Sequence, residues 1–408
     1  MGADHMRILF VGMSDSVHAA RWVRQLSGEG WQMSLFPVAT VPRHPDLSSV
    51  TTHPLLWYGR LGSWMLPRGA LGSAYVRGMQ ASERLAAKVL DWCQPEWRAR
   101  RLARVIERFR PDVVHSMEMQ HAGYLMLETR RHLLGKVPPW IVGIWGSDVF
   151  LFGRMPSHQQ RVRAVLAACD YYLCECQRDV DLAIALGLRG NVLPTLPAHG
   201  GLDITVVRRV RGSEHPSSRR VILVKGYQSF SGRALVALRA VALAAEALKG
   251  YQVRVFSASA DVEIAAEILA VDAGVDIRVL PRCGHEEFMS HIAQARIVVG
   301  LGISDGLPSS LVEAMALGAF PIQSSTSCVG EWIVNGETGF IVSPEDPYEV
   351  AQALKMALEN DTLVDHAGEA NPRIVEDNLS SDVIASRVIP MYREIVVNSR
   401  NGYRAAWM

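Results

Sequence analysis

The feature that most constrains the fold is an apolar strand that leads through a turn into a helix, between Ala295 and Gly318. Residues 295–302 are apolar and rich in β-branched side chains, and they close on a glycine, as a buried strand does. Leu311 and Met315 then recur at helical spacing, and Gly318 stands where such a helix would end. In an open α/β sheet, ligands bind at turns of this kind, at the carboxyl ends of the strands. The stretch therefore predicts an α/β fold and a place for its site.

Two acids lie in this stretch, Asp305 in the turn and Glu313 in the helix. The amino end of the helix, near Ser309, offers N–H groups and positive dipole to an anion such as phosphate. Glu313 has two interpretations. It is either a ligand-binding carboxylate or the last residue of a Ser310–Glu313 capping box, in which its side chain accepts a hydrogen bond from the backbone N–H of the cap residue. The local pattern leaves both open.

The same alternation of strands and helices fills both halves of the chain. It opens with a strand at Arg7–Gly12, and it resumes at Arg220 after a joint rich in Gly, Ser and charge at 200–218. No G-x-G-x-x-G follows the first strand, so the dinucleotide fingerprint of a dehydrogenase is absent. We predict two doubly wound α/β halves that face a cleft, the usual place for a small-molecule site.

Composition excludes several classes of protein. The 408 residues have room for two or three domains, and a net charge of +1 gives no argument for nucleic acid binding. No stretch reaches the roughly 18 uncharged apolar residues of a membrane span. The six cysteines lack zinc spacing, so we expect no metal site. The chain opens without a secretory signal pattern, and we expect a cytoplasmic protein.

One segment departs from this neutrality. From Pro54 to Pro111 there are eleven Lys or Arg against four Asp or Glu, a net charge of +7. Four tryptophans lie in the same segment: Trp57, Trp64, Trp92 and Trp97. Exposed aromatics beside cations such as Arg98, Arg100 and Arg101 suit an anionic membrane face or a phosphate-bearing acceptor. The alternative is a solvated helix face with a few buried tryptophans.

Polar residues also follow the strands of the first half. Strands are expected at 112–115 and 140–145, and polar groups just past strand ends are where a site is built. A single histidine there is more often structural than catalytic. The candidates on this side are His18, His115, Glu118, His121 and Asp148.

Several motifs resemble those of one family. Asp305-x7-Glu313, the run Glu-Ala-Met-Ala-Leu-Gly, and Asn-Gly-Glu-Thr-Gly-Phe-Ile-Val at 335–342 resemble the C-terminal signature of the group 1 (family 4) retaining glycosyltransferases. Weaker matches are Gly12 with His-Ala-Ala-Arg-Trp at 18–22, and Trp-Gly-Ser-Asp at 145–148. The resemblance implies the GT-B fold, two Rossmann-like domains around a cleft. It implies an acceptor-side domain at 1–203, a donor-binding domain at 204–376 and a helix at 377–408 that crosses back to the first domain.

The resemblance also implies roles for residues. Lys225 and Arg233 match the basic pair that faces the donor diphosphate, with the two residue types exchanged relative to the family. Asp305 stands where the family usually has Glu and would bind sugar hydroxyls, whereas Glu313 would bind ribose. His115 matches only the first of two frequent histidines, because Met117 occupies the second place. The remaining donor-side residues implied are Gly12, Leu307, Pro308, Ser309 and Ser310.

The implied activity is transfer of a sugar from a UDP- or GDP-sugar to an acceptor, with retention of anomeric configuration and without metal or other cofactor. The acceptor would belong to the synthesis of a cell-surface polysaccharide, a glycolipid or a secondary-metabolite glycoside. The acceptor would be a glycan or a lipid-linked molecule, and the protein would make peripheral contact with the inner membrane face. Three alternatives stay open: a metal-dependent transferase that uses Asp179-Val180-Asp181, a sugar-nucleotide epimerase or phosphorylase of this architecture, and a homologue that only binds nucleotide sugars. The Asp179-Val180-Asp181 triplet sits in a helical pattern and not at a strand end, so we expect it to form a solvated helix face.

Overall fold

A computed structural model describes residues 5–56 and 70–400, with side chains from Gly78 onward in the second range. Trp57 and Trp64 lie outside the described residues. The chain divides into two compact units. One unit comprises the chain up to Gly200 together with the segment from Ala385 on, and the other is Gly201–Ile384.

The described part of the first unit contains a seven-stranded parallel sheet in the order β3-β2-β1-β4-β5-β6-β7. Its strands are β1 (Arg7–Gly12), β2 (Gln32–Pro37), β3 (Thr51–Thr52), β4 (Val113–Met117), β5 (Trp140–Gly143), β6 (Tyr171–Leu173) and β7 (Asn191–Val192). The helices between them are α1 (Val17–Arg24), α2 (Ala70–Cys93), α3 (Trp97–Phe109), α4 (Tyr124–Thr129), α5 (Ser147–Phe150), α6 (Pro156–Ala168) and α7 (Gln177–Ala185).

The centre of this sheet forms because its strands are apolar on both faces. Every residue of β4 is buried, and so is every residue of β1 after Arg7. Such continuous burial is typical of parallel strands that are covered by helices on both sides. The pairing of β1 with β4 sets Phe10 beside His115. The first helix begins at Ser16, whose hydroxyl accepts a hydrogen bond from the Ala19 N–H at 3.2 Å.

The second unit contains a six-stranded parallel sheet in the order β10-β9-β8-β11-β12-β13. Its strands are β8 (Val221–Lys225), β9 (Gln252–Phe256), β10 (Asp276–Val279), β11 (Ala295–Gly300), β12 (Phe320–Ser324) and β13 (Phe340–Val342). Its helices are α8 (Ile204–Val210), α9 (Ala234–Leu243), α10 (Ala260–Asp272), α11 (His285–Ala293), α12 (Ser309–Ala316), α13 (Pro347–Glu359) and α14 (Asp361–Asn378). The prediction of two parallel α/β halves is confirmed, and β11 and α12 lie where the strand-turn-helix pattern placed them.

The last helix, α15 (Ser381–Arg400), begins in the second unit and belongs to the first from Ala385 on. Its Tyr392 is fully buried among residues of the first unit. Trp22 Nε1–H donates to the Tyr392 hydroxyl at 3.0 Å, and that hydroxyl lies 2.6 Å from His115 Nδ1, within hydrogen-bond distance. Near the end of the helix, Arg400 pairs with Asp112 at 2.9 Å. Among the described residues, no helix combines the length and apolarity needed to cross a bilayer.

Candidate active site

In the second unit, the carboxyl ends of β8 and β11 lie side by side in the sheet. From β8 the chain continues to β9 on one side, and from β11 it continues to β12 on the other. This change of direction is the topological switch point where open α/β sheets bind ligands. Lys225 is the last residue of β8, and its Nζ lies 3.9 Å from Oδ2 of Asp305, in the turn after β11. Both side chains are partly exposed, so a ligand can reach them.

Arg233 reaches the same edge through the loop after β8. Its backbone N–H donates to the Leu301 carbonyl at 3.1 Å, which fastens the start of α9 to the turn after β11. The loop requires a glycine at Gly232, because a Cβ there would lie 2.0 Å from the Tyr227 carbonyl oxygen. The Arg233 guanidinium lies 3.3 Å from Glu345, whose side chain is exposed. This arrangement brings the two basic residues implied by the resemblance to neighbouring strand ends.

The amino end of α12 is not closed by a side chain. Pro308 is its cap residue and makes no side-chain hydrogen bond to the helix, while Leu307 is buried in the core of the unit. The capping-box interpretation of Glu313 is therefore wrong, because the helix begins before Ser310 and Glu313 returns to no cap. The hydroxyls of Ser309 and Ser310 are buried and have no hydrogen-bond partner among the described residues. An anion at this helix end would supply the missing acceptor.

Glu313 instead pairs with a residue that the sequence did not reveal. His285 is the first residue of α11, and its Nε2 lies 2.7 Å from Oε1 of Glu313. The Glu313 side chain is 6% exposed, so this contact fixes the direction of a nearly buried carboxylate. A lone histidine that is 28 residues away along the chain, at a helix start, gives no sequence signal for such a pairing.

The first unit has a polar cluster of its own at the carboxyl ends of β4 and β5. Glu118 follows β4 with φ of 112°, in a region that non-glycine residues rarely occupy. Its carboxylate accepts from the backbone N–H groups of His121 and Ala122, at 2.9 and 2.5 Å. Asp148 accepts from the N–H groups of Met119 and Trp145, at 2.8 and 2.6 Å. Three of the candidates, Glu118, His121 and Asp148, therefore lie together.

Two members of the cluster, Asp148 and His121, have shifted pKa values. Burial, followed by repulsion from the Glu118 carboxylate, raises the pKa of Asp148 to about 7. The hydrogen bond to Glu118 raises the pKa of His121, whose side chain is mostly exposed. Two buried carboxylates beside an exposed imidazole can accept hydrogen bonds from hydroxyls of a ligand and exchange protons with it.

The other candidates of the first unit have structural partners. His115 is fully buried, and burial lowers its pKa to about 3, so it is neutral, and its Nδ1 shares a hydrogen bond with the Tyr392 hydroxyl. The His18 ring lies 5.6 Å from the ring of Trp145. A Cβ at Gly12 would lie 3.2 Å from the Cβ of Met117, so packing within this unit already favours glycine there.

The Asp179-Val180-Asp181 triplet lies in α7, as its pattern predicts, and not at a strand end. The expectation that it forms a solvated face is wrong for Asp179, which is fully buried and lies 2.9 Å from Nε of Arg178. A metal-binding D-x-D of a single-domain transferase would have to follow a strand, so this geometry disfavours that alternative.

Comparison with known families matches both halves of the chain. Residues 213–373 match the model of the group 1 glycosyl transferases, and residues 95–175 match a glycosyl transferase 4-like model. Together the two matches cover more than half of the chain. The protein belongs to the group 1 glycosyltransferase family, and its fold is GT-B.

Individual relatives are distant. Capsular polysaccharide biosynthesis glycosyltransferase CapM of Staphylococcus aureus is 28% identical over 95 residues, 23% of this chain and only a quarter of that protein's length. Sucrose-phosphate synthase from Thermosynechococcus elongatus superposes with a TM-score of 0.68 at 15% identity, covering 96% of this chain and 99% of that one. Anabaena HepE, solved in complex with UDP-glucose, superposes with a TM-score of 0.65 at 13% identity, covering 96% of this chain and 100% of that one. At these identities the solved structures establish the fold alone.

Proposed function

We propose that the protein is a retaining glycosyltransferase that moves a sugar from a nucleotide-sugar donor, a UDP- or GDP-sugar, to a glycan or lipid-linked acceptor. The observation that carries the proposal is the edge formed by β8 and β11. Lys225 ends one of these strands, and α12, with the unpartnered hydroxyls of Ser309 and Ser310, follows the other. A cation and an open helix amino end at neighbouring strand ends suit a diphosphate.

The chemistry follows from where charge develops. When the glycosidic bond of the donor breaks, negative charge grows on the departing diphosphate. Lys225 supplies a point charge there, and Arg233 a planar fork for phosphate oxygens, once it exchanges its exposed Glu345 partner. Because these cations are already in place before the reaction, the protein does not have to rearrange to stabilise that charge. In this scheme Lys225 and Arg233 neutralise the diphosphate, and no metal is needed. Retention is proposed to follow from attack by an acceptor hydroxyl on the same face as the leaving phosphate, which accepts the hydroxyl proton as the bond between sugar and diphosphate breaks. This route requires no enzymic nucleophile.

The two acids then orient the donor. Glu313, held by His285, is proposed to accept hydrogen bonds from ribose hydroxyls. Asp305, within reach of Lys225, is proposed to accept from hydroxyls of the transferred sugar. Leu307 and Pro308 shape the turn between them. Gly12 remains a proposed donor contact from the first unit.

On the acceptor side we propose Glu118, His121 and Asp148, with His18 as a further candidate. His115, the remaining candidate, is buried against Tyr392 and is not proposed to contact the acceptor. The names of the relatives support the substrate classes: one acts in capsular polysaccharide biosynthesis, and HepE was solved with UDP-glucose. We place the protein in the cytoplasm, with peripheral contact at the membrane.

A panel assay tests the proposal. The protein is incubated with UDP- and GDP-sugars, with and without glycan or lipid-linked acceptors and excess chelator. We expect nucleoside diphosphate release that depends on an acceptor, survives the chelator and yields a product of retained configuration by NMR. Epimerised donor, or tight binding without turnover, would instead support the epimerase or binding-protein alternatives. Complete loss with chelator, restored by manganese or magnesium, would overturn metal independence.

A further inference from the structure

Helix α2 buries two polar side chains and exposes three large apolar ones. Its inward side carries Gln80 and Glu83, which are 6% and 2% exposed. The Glu83 carboxylate accepts from the Thr40 hydroxyl at 3.1 Å. Its outward side carries Leu85, Val89 and Trp92, exposed by 65%, 52% and 85%. Although Ala87 of the same helix is buried in the core, three large apolar side chains of α2 thus face solvent.

The three exposed residues form one continuous surface, which we call the α2 stripe. Leu85, Val89 and Trp92 are spaced four and three residues apart, so they lie above one another on a single helix face. Single exposed apolar residues are ordinary, but a contiguous stripe marks a surface that meets something apolar.

The charges around the stripe identify its partner. Of the two acids in α2, Glu83 is buried, and Asp91 is engaged by Arg98 at 2.8 and 2.9 Å. Exposed Arg84 and Lys88 lie on the same helix as the stripe. The next helix, α3, exposes Arg100, Arg104 and Arg108 against a single exposed acid, Glu107, so among the described side chains exposed cations outnumber exposed acids on both helices. We propose that the α2 stripe is the surface through which the protein lies on an anionic lipid bilayer, with its apolar residues at the acyl boundary and its cations at the headgroups.

The sequence-based hypothesis assigned the contact to the whole basic segment, with four tryptophans (Trp57, Trp64, Trp92 and Trp97) and the arginines Arg98, Arg100 and Arg101. Among its described members the proposal keeps Trp92 and Arg100, which are exposed, and moves the contact away from the others. Trp97 is buried and donates to Asp91 at 2.8 Å. Arg98 is held by Asp91 and by the Val38 carbonyl, and Arg101 by the Pro54 carbonyl. Those groups stabilise the unit, whereas the α2 stripe is free to meet a surface.

The second unit provides a matched control. On α10, Ile264, Ile268 and Val271 have the same spacing and are 61%, 56% and 83% exposed. The charged residues of that helix are all acidic: Asp261, Glu263, Glu267 and Asp272. An anionic bilayer would repel this second stripe, so the two surfaces separate apolar exposure from charge.

Vesicle flotation of the full chain tests the proposal, using phosphatidylcholine vesicles with and without phosphatidylserine. We expect low-salt binding to the anionic vesicles that weakens with salt. The double variant Leu85→Ser/Trp92→Ser should lose at least about tenfold in binding. The control Ile264→Ser/Val271→Ser should bind like the wild type. Lys88→Glu should weaken binding to anionic vesicles alone.

Other outcomes overturn the proposal. Wild-type protein that fails to float with anionic vesicles at low salt would overturn it. Equal losses of vesicle binding in the α2 and α10 variants would also overturn it. Dimers that Leu85→Ser/Trp92→Ser converts to monomers, without vesicle binding by the wild type, would assign the stripe to a second copy. The proposal supplies the membrane contact of the proposed function, yet flotation involves no turnover. A protein that floats as expected but transfers no sugar would therefore refute only the proposed function.

Discussion

Nε2 of His285 lies 2.7 Å from Oε1 of Glu313, which joins the first residue of α11 to the second turn of α12. The carboxylate is nearly buried, and the imidazole is partly exposed. The contact therefore orients an acid that a helix would otherwise leave free to rotate. It also separates the function of Glu313 from helix capping, which makes the residue suitable for a clean substitution.

For Glu313→Gln, we expect the donor KM to rise about tenfold, because an amide accepts ribose hydroxyls through one oxygen only. The free energy of unfolding should change by no more than about 1 kcal/mol, since no cap is lost. Initial-rate kinetics and urea denaturation measure the two effects. An unchanged KM together with a large loss of stability would show that Glu313 is structural.

Lys225→Met should lower kcat about 100-fold, because the substitution removes a charge that stabilises the leaving diphosphate. The matched control is Lys249→Met in the same unit, whose lysine is exposed and pairs only with Glu246 among the described residues. Steady-state rates of both variants, measured at saturating donor, make the comparison. Equal rates for the two variants would remove Lys225 from the chemistry.

Tyr392→Phe should destabilise the first unit by about 2–4 kcal/mol. The change leaves Trp22 Nε1–H without its acceptor and His115 Nδ1 without its hydrogen-bond partner, and both groups are buried. Tyr348→Phe is the control, since Tyr348 is 68% exposed. Urea denaturation followed by tryptophan fluorescence gives the stabilities. If the two variants are equally stable, the buried hydrogen bonds contribute nothing net.

Acid should unfold the protein in part through His115. Its pKa falls from an ordinary 6.5 to about 3 in the folded state, so the folded protein binds this proton less readily than the unfolded chain. The stability that depends on a neutral His115 is complete above pH 6.5 and is lost as the pH falls toward 3. His115→Asn keeps an acceptor for Tyr392 and does not titrate, so its unfolding free energy should fall less over that interval.

The Asp148 carboxyl acts in the opposite direction, since its raised pKa of about 7 removes stability as the pH rises from about 4 to 7. Asp148 is present in both the wild type and His115→Asn. Its contribution to the unfolding free energy therefore cancels when the two proteins are compared. Parallel stability profiles for the two proteins would refute the role of His115.

Sequence patterns predicted the fold because strand and helix periodicity repeats in every unit of an α/β sheet. They also placed Asp305 in the turn after a buried strand, and the family resemblance pointed to Lys225; the structure brings the two side chains within 3.9 Å. Sequence patterns failed where the partner of a residue lies far away along the chain, and where large apolar side chains of a helix face solvent. The pairing of Glu313 with His285 depends on how two helices pack, and the local pattern matched a capping box equally well. The outward apolar face of α2 likewise appears only once the burial of Glu83 is known.

The hydrogen bond between Trp22 and Tyr392 spans 370 residues of chain. A ribosome releases the sheet of the first unit long before it makes the helix that covers Trp22 and His115. At about 5–20 residues per second, the intervening second unit takes on the order of ten seconds or more to synthesise. During that interval, the buried indole and imidazole of the nascent first unit face water or a chaperone. The native stability of the first unit is therefore reached only after α15 has been synthesised, although most of that unit is made first.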